Sequence, residues 1–330
     1  MKKCGVLLLT TAYILTSAVL TGCAREASPS APPAAASSEV DIQPDWTSMA
    51  AAVPKTTEGS WDSTPKCLVP SAPGTAQTSN DSAVIDYSNA GQGYVSVKYT
   101  GSVSKVKVVI LDPDGVKYTY LLRGSGYEVF PLASGDGSYD ITVAENISGT
   151  KYAVCLHDKI DVTVTDEFGP FLYPNQYVDF DKDSDVVAKG SELAKGADND
   201  LDVVISVYNY MISSITYDYD KASDPPTDYV TDIDAILDSG TGICQDYAAV
   251  MAAMLRSQQI PTRLEVGYAK DAYHAWVSVY TQENGWLNGI IQFDGKKWTL
   301  VDPTFGANSS EKTLKKFIGD GSNYTLSKVY

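Results

Sequence analysis

Apolar and polar positions alternate with a period of two through the middle of the chain. Tyr94-Val95-Ser96-Val97-Lys98-Tyr99, Val106-Lys107-Val108-Val109-Ile110 and Tyr139-Asp140-Ile141-Thr142-Val143 each read as a strand with one buried face, and Tyr152–Val164 supplies one or two more. Between them stand Asp112-Pro113-Asp114-Gly115, Gly124-Ser125-Gly126 and Ser134-Gly135-Asp136-Gly137, whose residue types provide the backbone angles of tight turns. Short strands separated by such turns predict an antiparallel β-sandwich of roughly immunoglobulin-like kind over residues 81–165. It contains no constellation of reactive side chains, so it reads as a packing partner or a binding and spacing module. His157 belongs there, beside Leu156 and Asp158, without a catalytic context.

Near Phe168 the period changes. Leu201, Val204, Ile205, Tyr208, Met211, Ile212 and Ile215 recur at helical spacing and predict an amphipathic helix of about four turns. A second helix is expected from about Cys244 to Ser257, ending before Pro261. Thr262–Tyr268, Tyr273–Tyr280, Trp286–Phe293 and Lys296–Asp302 then read as strands, the last two joined by an Asp294-Gly295 hairpin turn. Helices followed by an antiparallel sheet make residues 166–330 an α+β domain.

The start of the chain has a different pattern. Lys2 and Lys3 precede a mostly apolar run, Val6 to Leu20, and small residues lead to Cys23, which is the order of a secretory signal. Leu20-Thr21-Gly22-Cys23 resembles the bacterial lipoprotein box, which implies cleavage of residues 1–22 and lipid on the Cys23 sulfur. Ala24–Ser38 is almost wholly Ala, Ser and Pro, a composition that forms extended spacer and no apolar face. Residues 23–80 are therefore expected to be a tether and linker, with Trp46 and Trp61 either docked or exposed. The expected place of the protein is outside the cytoplasm, held on the cell membrane by acyl chains.

Charge narrows the partners. With 25 Lys and Arg against 41 Asp and Glu the net charge is −16, a surface that repels phosphate backbones and argues against nucleic acid. Two His and five Cys cannot build a histidine-rich metal site or a zinc-finger array. Asp181, Asp183, Asp185 and Glu192 imitate a calcium loop, but Val186 stands where the turn needs glycine, and an acidic helix start explains the run better. No organic cofactor, nucleotide or metal is implied.

One stretch carries chemistry. Gly240-Thr241-Gly242-Ile243-Cys244-Gln245-Asp246-Tyr247-Ala248 sets a cysteine in the first turn of a helix, where free amide N–H groups and the positive end of the dipole favour a thiolate. His274, in Tyr273-His274-Ala275-Trp276-Val277-Ser278, is the candidate proton partner, and Asp302, after Trp298-Thr299-Leu300-Val301, the candidate carboxylate that orients its ring. Cys67 and Cys155 are left either to pair as a disulfide or to remain free.

GTGICQDYAAVMAAMLRSQQIPTRLEVGYA, YHAWVSVY and WTLVDPTFG together closely resemble the transglutaminase-like superfamily, and Ile215-Thr216-Tyr217-Asp218-Tyr219 is similar to that family's element before the cysteine loop. The resemblance covers residues 200–307. It implies a papain-like core with Cys244 as nucleophile, His274 as general base and acid and Asp302 as orienting carboxylate. The implied activity is acyl transfer from a peptide or amide carbonyl, expected to be hydrolytic (protease or amidase) rather than cross-linking. Gln245, Trp276 and Tyr217 are candidate substrate contacts. Expected partners are a protein or peptide substrate, the membrane, and cell-wall components. The competing reading is a catalytically silent lipoprotein whose groove binds peptide or glycan.

Overall fold

The period-two pattern of the first half folds into two antiparallel sheets. In chain order the strands are β1 (Leu15–Thr16), β2 (Gln77–Ser79), β3 (Ala83–Asp86), β4 (Tyr94–Tyr99), β5 (Val106–Leu111), β6 (Lys117–Leu121), β7 (Tyr127–Pro131), β8 (Gly137–Ser148) and β9 (Lys151–Val162). One sheet runs β2-β3-β4-β7 and the other β1-β9-β8-β5-β6. This computed structural model describes residues 59–269, 272–283, 285–287, 291–293, 298–300 and 324–330, together with Leu15–Thr16. Ile85, Val95, Val97 and Phe130 from the first sheet and Val108, Ile110, Ile141 and Val143 from the second are at most 1% exposed and join one apolar cluster. Each such side chain stabilises the fold by about 1.5–3 kcal/mol. The segment expected to hold one or two strands is the single long β9, and His157 on it meets Asp140 on β8 at 2.9 Å, both half-exposed.

The second half is helical before it becomes a sheet. Its elements are α1 (Asp185–Ala194), α2 (Asp200–Ser214), β10 (Thr216–Tyr217), α3 (Tyr219–Ser223), α4 (Ile233–Ser239), β11 (Thr241–Gly242) and α5 (Cys244–Ser257). They are followed by β12 (Thr262–Ala269), β13 (Ala272–Thr281), β14 (Gly285–Leu287), β15 (Ile291–Phe293), β16 (Trp298–Leu300) and β17 (Tyr324–Val329). The main sheet runs β14-β13-β12-β17. Asp185 opens α1 in its first turn, where its charge suits the helix dipole, so the acidic run is a helix start.

Helix α5 is the centre of this half. Every residue from Asp246 to Ser257 is buried, and the helix packs against α1, α2, α4, β12 and β13. Its small residues Ala248, Ala249, Ala252 and Ala253 let those neighbours approach on all sides. Gly190 on α1 marks a close approach: a Cβ there would lie 3.0 Å from the Met254 carbonyl oxygen.

One expectation is corrected. The run Trp286–Phe293 is not one strand, because β14 pairs with β13 whereas β15 pairs with β16. The expected Asp294-Gly295 turn lies outside the described residues; on either side of it β15 and β16 pair antiparallel, with Phe293 opposite Trp298. The later part of the expected linker is docked chain. The amide of Gly59 donates to the Lys195 carbonyl (2.8 Å), Trp61 to Ala197 (3.0 Å) and Lys66 to Ser257 (2.8 Å), and these carbonyls lie at or just beyond helix C-termini that need donors. The Trp61 indole N–H donates to Gln258 Oε1 at 3.3 Å, so this tryptophan is docked. Trp46 and the remainder of the tether lie outside the described residues. Among the described residues no helix is long and apolar enough to cross a membrane.

Arg256, fully buried at the end of α5, ties the far ends of this half together. Its guanidinium donates to the carbonyl oxygens of Thr262 (3.0 and 2.8 Å), Tyr173 (2.9 Å) and Tyr330 (2.8 Å). Burial pulls its pKa down to about 9, which still leaves it charged at neutral pH. Arg256→Met strands these acceptors, and at about 1–3 kcal/mol for each unsatisfied buried group it should destabilise the fold by about 3 kcal/mol or more. The midpoint of urea unfolding checks this, with far-UV circular dichroism as the probe.

Candidate active site

The loop before the cysteine is built by two glycines. Gly240 closes α4 in the left-handed region (φ 61°), its N–H donating to the Ile236 carbonyl at 3.0 Å. Gly242 passes so close to Asp246 that a Cβ would sit 2.7 Å from that residue's Cβ. Between them β11 pairs in parallel with β10, setting Tyr217 beside Gly242, and the Asp218 amide donates to the Gly242 carbonyl at 2.9 Å. The sequence-predicted Tyr217 is thereby placed next to the cysteine loop, half-buried, with its ring edge-on to Tyr219 at 5.0 Å.

Cys244 is the first residue of α5 and is half-buried. Ile243 occupies the cap position and has no side-chain acceptor. Asp246, three residues on, supplies the reciprocal half of a capping box by accepting from the Ile243 amide at 2.9 Å. The same carboxylate, fully buried, accepts from Lys221 Nζ, the Tyr229 hydroxyl and the Thr231 hydroxyl, each at 2.7 Å. Burial works against the Lys221 ammonium, but its bonds to Asp246 and Tyr229 outweigh that and raise its pKa. Gln245 is not a free side chain at the mouth of the site: its amide donates to the Tyr229 carbonyl at 3.3 Å.

His274 lies on β13 and is buried (6% exposed). It stands opposite Gly267 of β12, and Trp276 stands opposite Glu265, so both side chains are on one face as alternation requires. Ala275, Val277 and Val279, on the other face, share the apolar cluster with Ala248, Met251 and Leu255 of α5. The fold thus packs the cysteine helix against the histidine strand. Next to His274, the Tyr273 phenol is raised by desolvation of its hydroxyl and then by Tyr177, Tyr268 and the Cys244 thiol, although most of its ring is exposed. Asp302 and Cys23 lie outside the described residues.

The family profile of the transglutaminase-like superfamily matches residues 188–289, which run from within α1 to just past β14 and hold both Cys244 and His274. The chain carries a transglutaminase-like domain. Over 117 residues it is 29% identical to the uncharacterized protein YebA of Bacillus subtilis, covering 29% of this chain and 16% of that protein. Over 108 residues it is 31% identical to the protein-glutamine gamma-glutamyltransferase of Pseudomonas aeruginosa, covering 28% of this chain and 14% of that protein. The chain therefore spans a small part of the length of these relatives. A crystal structure of the periplasmic domain of TgpA from Pseudomonas aeruginosa, bound to ethylmercury, aligns with 66% of this chain and 90% of its own at 16% identity and a TM-score of 0.30.

Within the transglutaminase-like domain the remaining candidate contact, Trp276, is a core residue. It is 4% exposed, and its indole N–H donates to Glu265 Oε2 at 2.6 Å. A large aromatic gains most from burial when its one polar atom is satisfied, which is why it faces inward. Ser278 donates to the same oxygen at 2.7 Å. Burial raises the Glu265 pKa, and these two bonds offset part of the rise. Reading the sequence missed Asp246, Lys221, Tyr229, Thr231 and Glu265. For Asp246 a signal existed: a carboxylate at the third helical position, immediately before the apolar run Tyr247–Leu255.

Two outcomes follow from these buried carboxylates. Asp246→Ala leaves the Lys221 ammonium without its carboxylate and the Tyr229 and Thr231 hydroxyls without their acceptor, and should lower stability by about 3–5 kcal/mol, the usual cost of breaking a buried pair; chemical denaturation measures it. Glu265→Gln keeps an acceptor for Trp276 and Ser278 but removes a charge that the fold disfavours. Because the folded pKa is raised, the wild type loses stability as pH rises through it, and the variant does not. The stability of Glu265→Gln relative to wild type should therefore increase from pH 4 to pH 8, with little difference at the acid end. Thermal unfolding across that range tests the sign.

Proposed function

We propose that this protein is a thiol acyl-transfer enzyme acting on peptide or amide carbonyls, hydrolytic rather than cross-linking, with Cys244 as nucleophile and His274 as its proton partner. One observation carries the reading: Cys244 opens a buried helix that packs against the strand bearing the buried His274. Asp302 takes the role of the carboxylate that orients the imidazole.

In the reaction the Cys244 sulfur attacks the carbonyl carbon, and the C–N bond breaks as His274 passes its proton to the departing amine. The resulting thioester is attacked by water, which gives its proton to His274, and the carboxylic acid leaves with the sulfur free again. The Cys244 backbone N–H, in the first turn of the helix, serves as donor to the oxygen that becomes negative, a contribution of about 3–4 kcal/mol for one good donor. The preference for water over an amine rests on water's abundance outside a cell. Residues 1–22 act as the signal, lipid on Cys23 holds the chain on the membrane, and residues 81–165 serve as an immunoglobulin-like sandwich that spaces the catalytic domain, residues 166–330, from it. Two antiparallel sheets, with the chain crossing between them after β4, β6 and β7, support that part of the reading. Cell-wall peptides are substrates within reach of such an anchor.

Thiol selectivity tests the central claim. Cys67 and Cys155 are free thiols, and desolvation raises the pKa of each. Both should alkylate slowly with iodoacetamide at pH 7, and Cys244 at least tenfold faster, with His274→Ala removing the difference. Incubation with peptide libraries should release new carboxyl termini or ammonia, absent with Cys244→Ala. Equal labelling of the three thiols together with no product would leave the silent binding lipoprotein as the reading.

A further inference from the structure

The segment between α3 and α4 carries two of the donors to Asp246, from Tyr229 and Thr231. Residues 224–228 of this segment are exposed, and Tyr229 then turns inward. There it holds both residues that follow Cys244. Its hydroxyl donates to Asp246 Oδ1 at 2.7 Å, and its carbonyl accepts from the Gln245 side-chain amide at 3.3 Å. Lys221 Nζ donates to the same hydroxyl at 2.6 Å and lies over the ring, 4.2 Å from its centre.

Asp228, immediately before Tyr229, is in the left-handed region (φ 56°), as only one other non-glycine residue is among those described. A residue with a Cβ enters that region at a cost, so contacts have to maintain it. They come from the first half of the molecule. Arg123, two residues beyond β6, donates from Nη2 to the Asp228 carbonyl oxygen at 2.6 Å, and Lys105, just before β5, lies 3.9 Å from the Asp228 carboxylate. Arg123 is itself fixed at the backbone. Its amide and that of Gly124 donate to Glu128 Oε1 (2.6 and 3.0 Å), and the Gln176 side-chain amide bridges Glu128 Oε2 (2.6 Å) and the Leu121 carbonyl (2.8 Å). Beside this contact the halves stand apart across a cavity of about 990 Å³, lined by Arg123 and residues 230–234 and acidic through Glu128, Asp179, Asp232 and Asp234. With open space there in place of packed side chains, the segment takes its position from these polar contacts.

We propose that Tyr229 is a positioning residue of the cysteine site and that Arg123, reaching across from the first half, holds it there. The inference rests on the reading of Cys244 as the reactive thiol. Asp246 is a negative charge two residues along the helix from Cys244, and each donor it loses leaves more of that charge uncompensated, which disfavours the thiolate. Releasing the Gln245 side chain also frees the residue next to the sulfur. The first half thereby becomes part of the framework of the site as well as a spacer.

Iodoacetamide labelling of the full chain at pH 7, read thiol by thiol from peptide masses, tests this with Cys67 and Cys155 as internal references. Tyr229→Phe, which keeps the ring and the carbonyl, should slow Cys244 by about threefold or more. Arg123→Met should do the same, and Arg123→Lys, which still offers a donor, should stay within about twofold of wild type. The variant carrying both Arg123→Met and Tyr229→Phe should fall by less than the product of the two, as residues acting through one segment do. Cys67 and Cys155 should label at their wild-type rates throughout. An unchanged Cys244 rate in either single variant, equal slowing by Arg123→Lys and Arg123→Met, or a fully multiplicative double variant overturns the assignment. So does faster labelling of all three thiols, which marks a loosened fold and not a displaced cysteine. Failure of the proposed function is a separate outcome: the wild-type Cys244 would then label no faster than Cys67 and Cys155, and this inference would fall with it.

Discussion

A carboxylate without access to water holds the start of the cysteine helix. Asp246 is stable there because four donors replace the solvent it gave up: one backbone amide, two hydroxyls and the Lys221 ammonium. An exposed pair of the same composition would contribute about 0–1 kcal/mol, whereas this one cannot lose a partner without leaving a bare charge in the core. The donors come from α3 and the residues after it, so a single side chain fixes the approach of that segment, the cap at Ile243 and the direction in which α5 begins. Cys244 takes its position from that arrangement. Whatever the sulfur does, it does from a helix end that its neighbours hold in place.

The other end of α5 is held by the opposite charge. Arg256 is satisfied by carbonyl oxygens alone, from Tyr173, Thr262 and Tyr330, which lie far apart in the sequence. Between these two anchors the helix is lined with alanines, so α1, α2, α4 and the sheet can all reach it. Charged groups at both ends and close packing in between give the helix a defined position along its own axis as well as a defined face. Thr231 belongs to both regions described above: its hydroxyl donates to Asp246, and it lines the acidic cavity.

Much of the fold was legible in the sequence because single-residue patterns decide it. β4 occupies Tyr94–Tyr99 and α5 Cys244–Ser257, as the alternation, the glycines and Pro261 indicate. α2 follows the helical spacing of Leu201 to Ile212. Cys244 and His274 were legible as candidates because the residues around each carry a family's pattern, and Tyr217 because it precedes the cysteine loop. Less was legible where the partner is distant. Trp61 meets Gln258, and no local pattern relates two such positions. The split of Trp286–Phe293 depends on which strand each piece pairs with, and an apolar run reads the same for either partner. Trp276 reads as a groove or a core residue, the core being the more usual place for a large aromatic on a strand, and the bond of its indole to Glu265 decides for the core.

The sequence alone determined the periodicities, the turn positions, the cysteine at a helix start and the acidic balance of the chain. These are properties of short windows, where backbone geometry and burial of one face leave few alternatives. The tertiary structure decided where the buried charges go. Asp246 and Arg256 look like ordinary surface residues of a helix, and only the arrival of hydroxyls, carbonyls and an ammonium from elsewhere makes their burial tolerable.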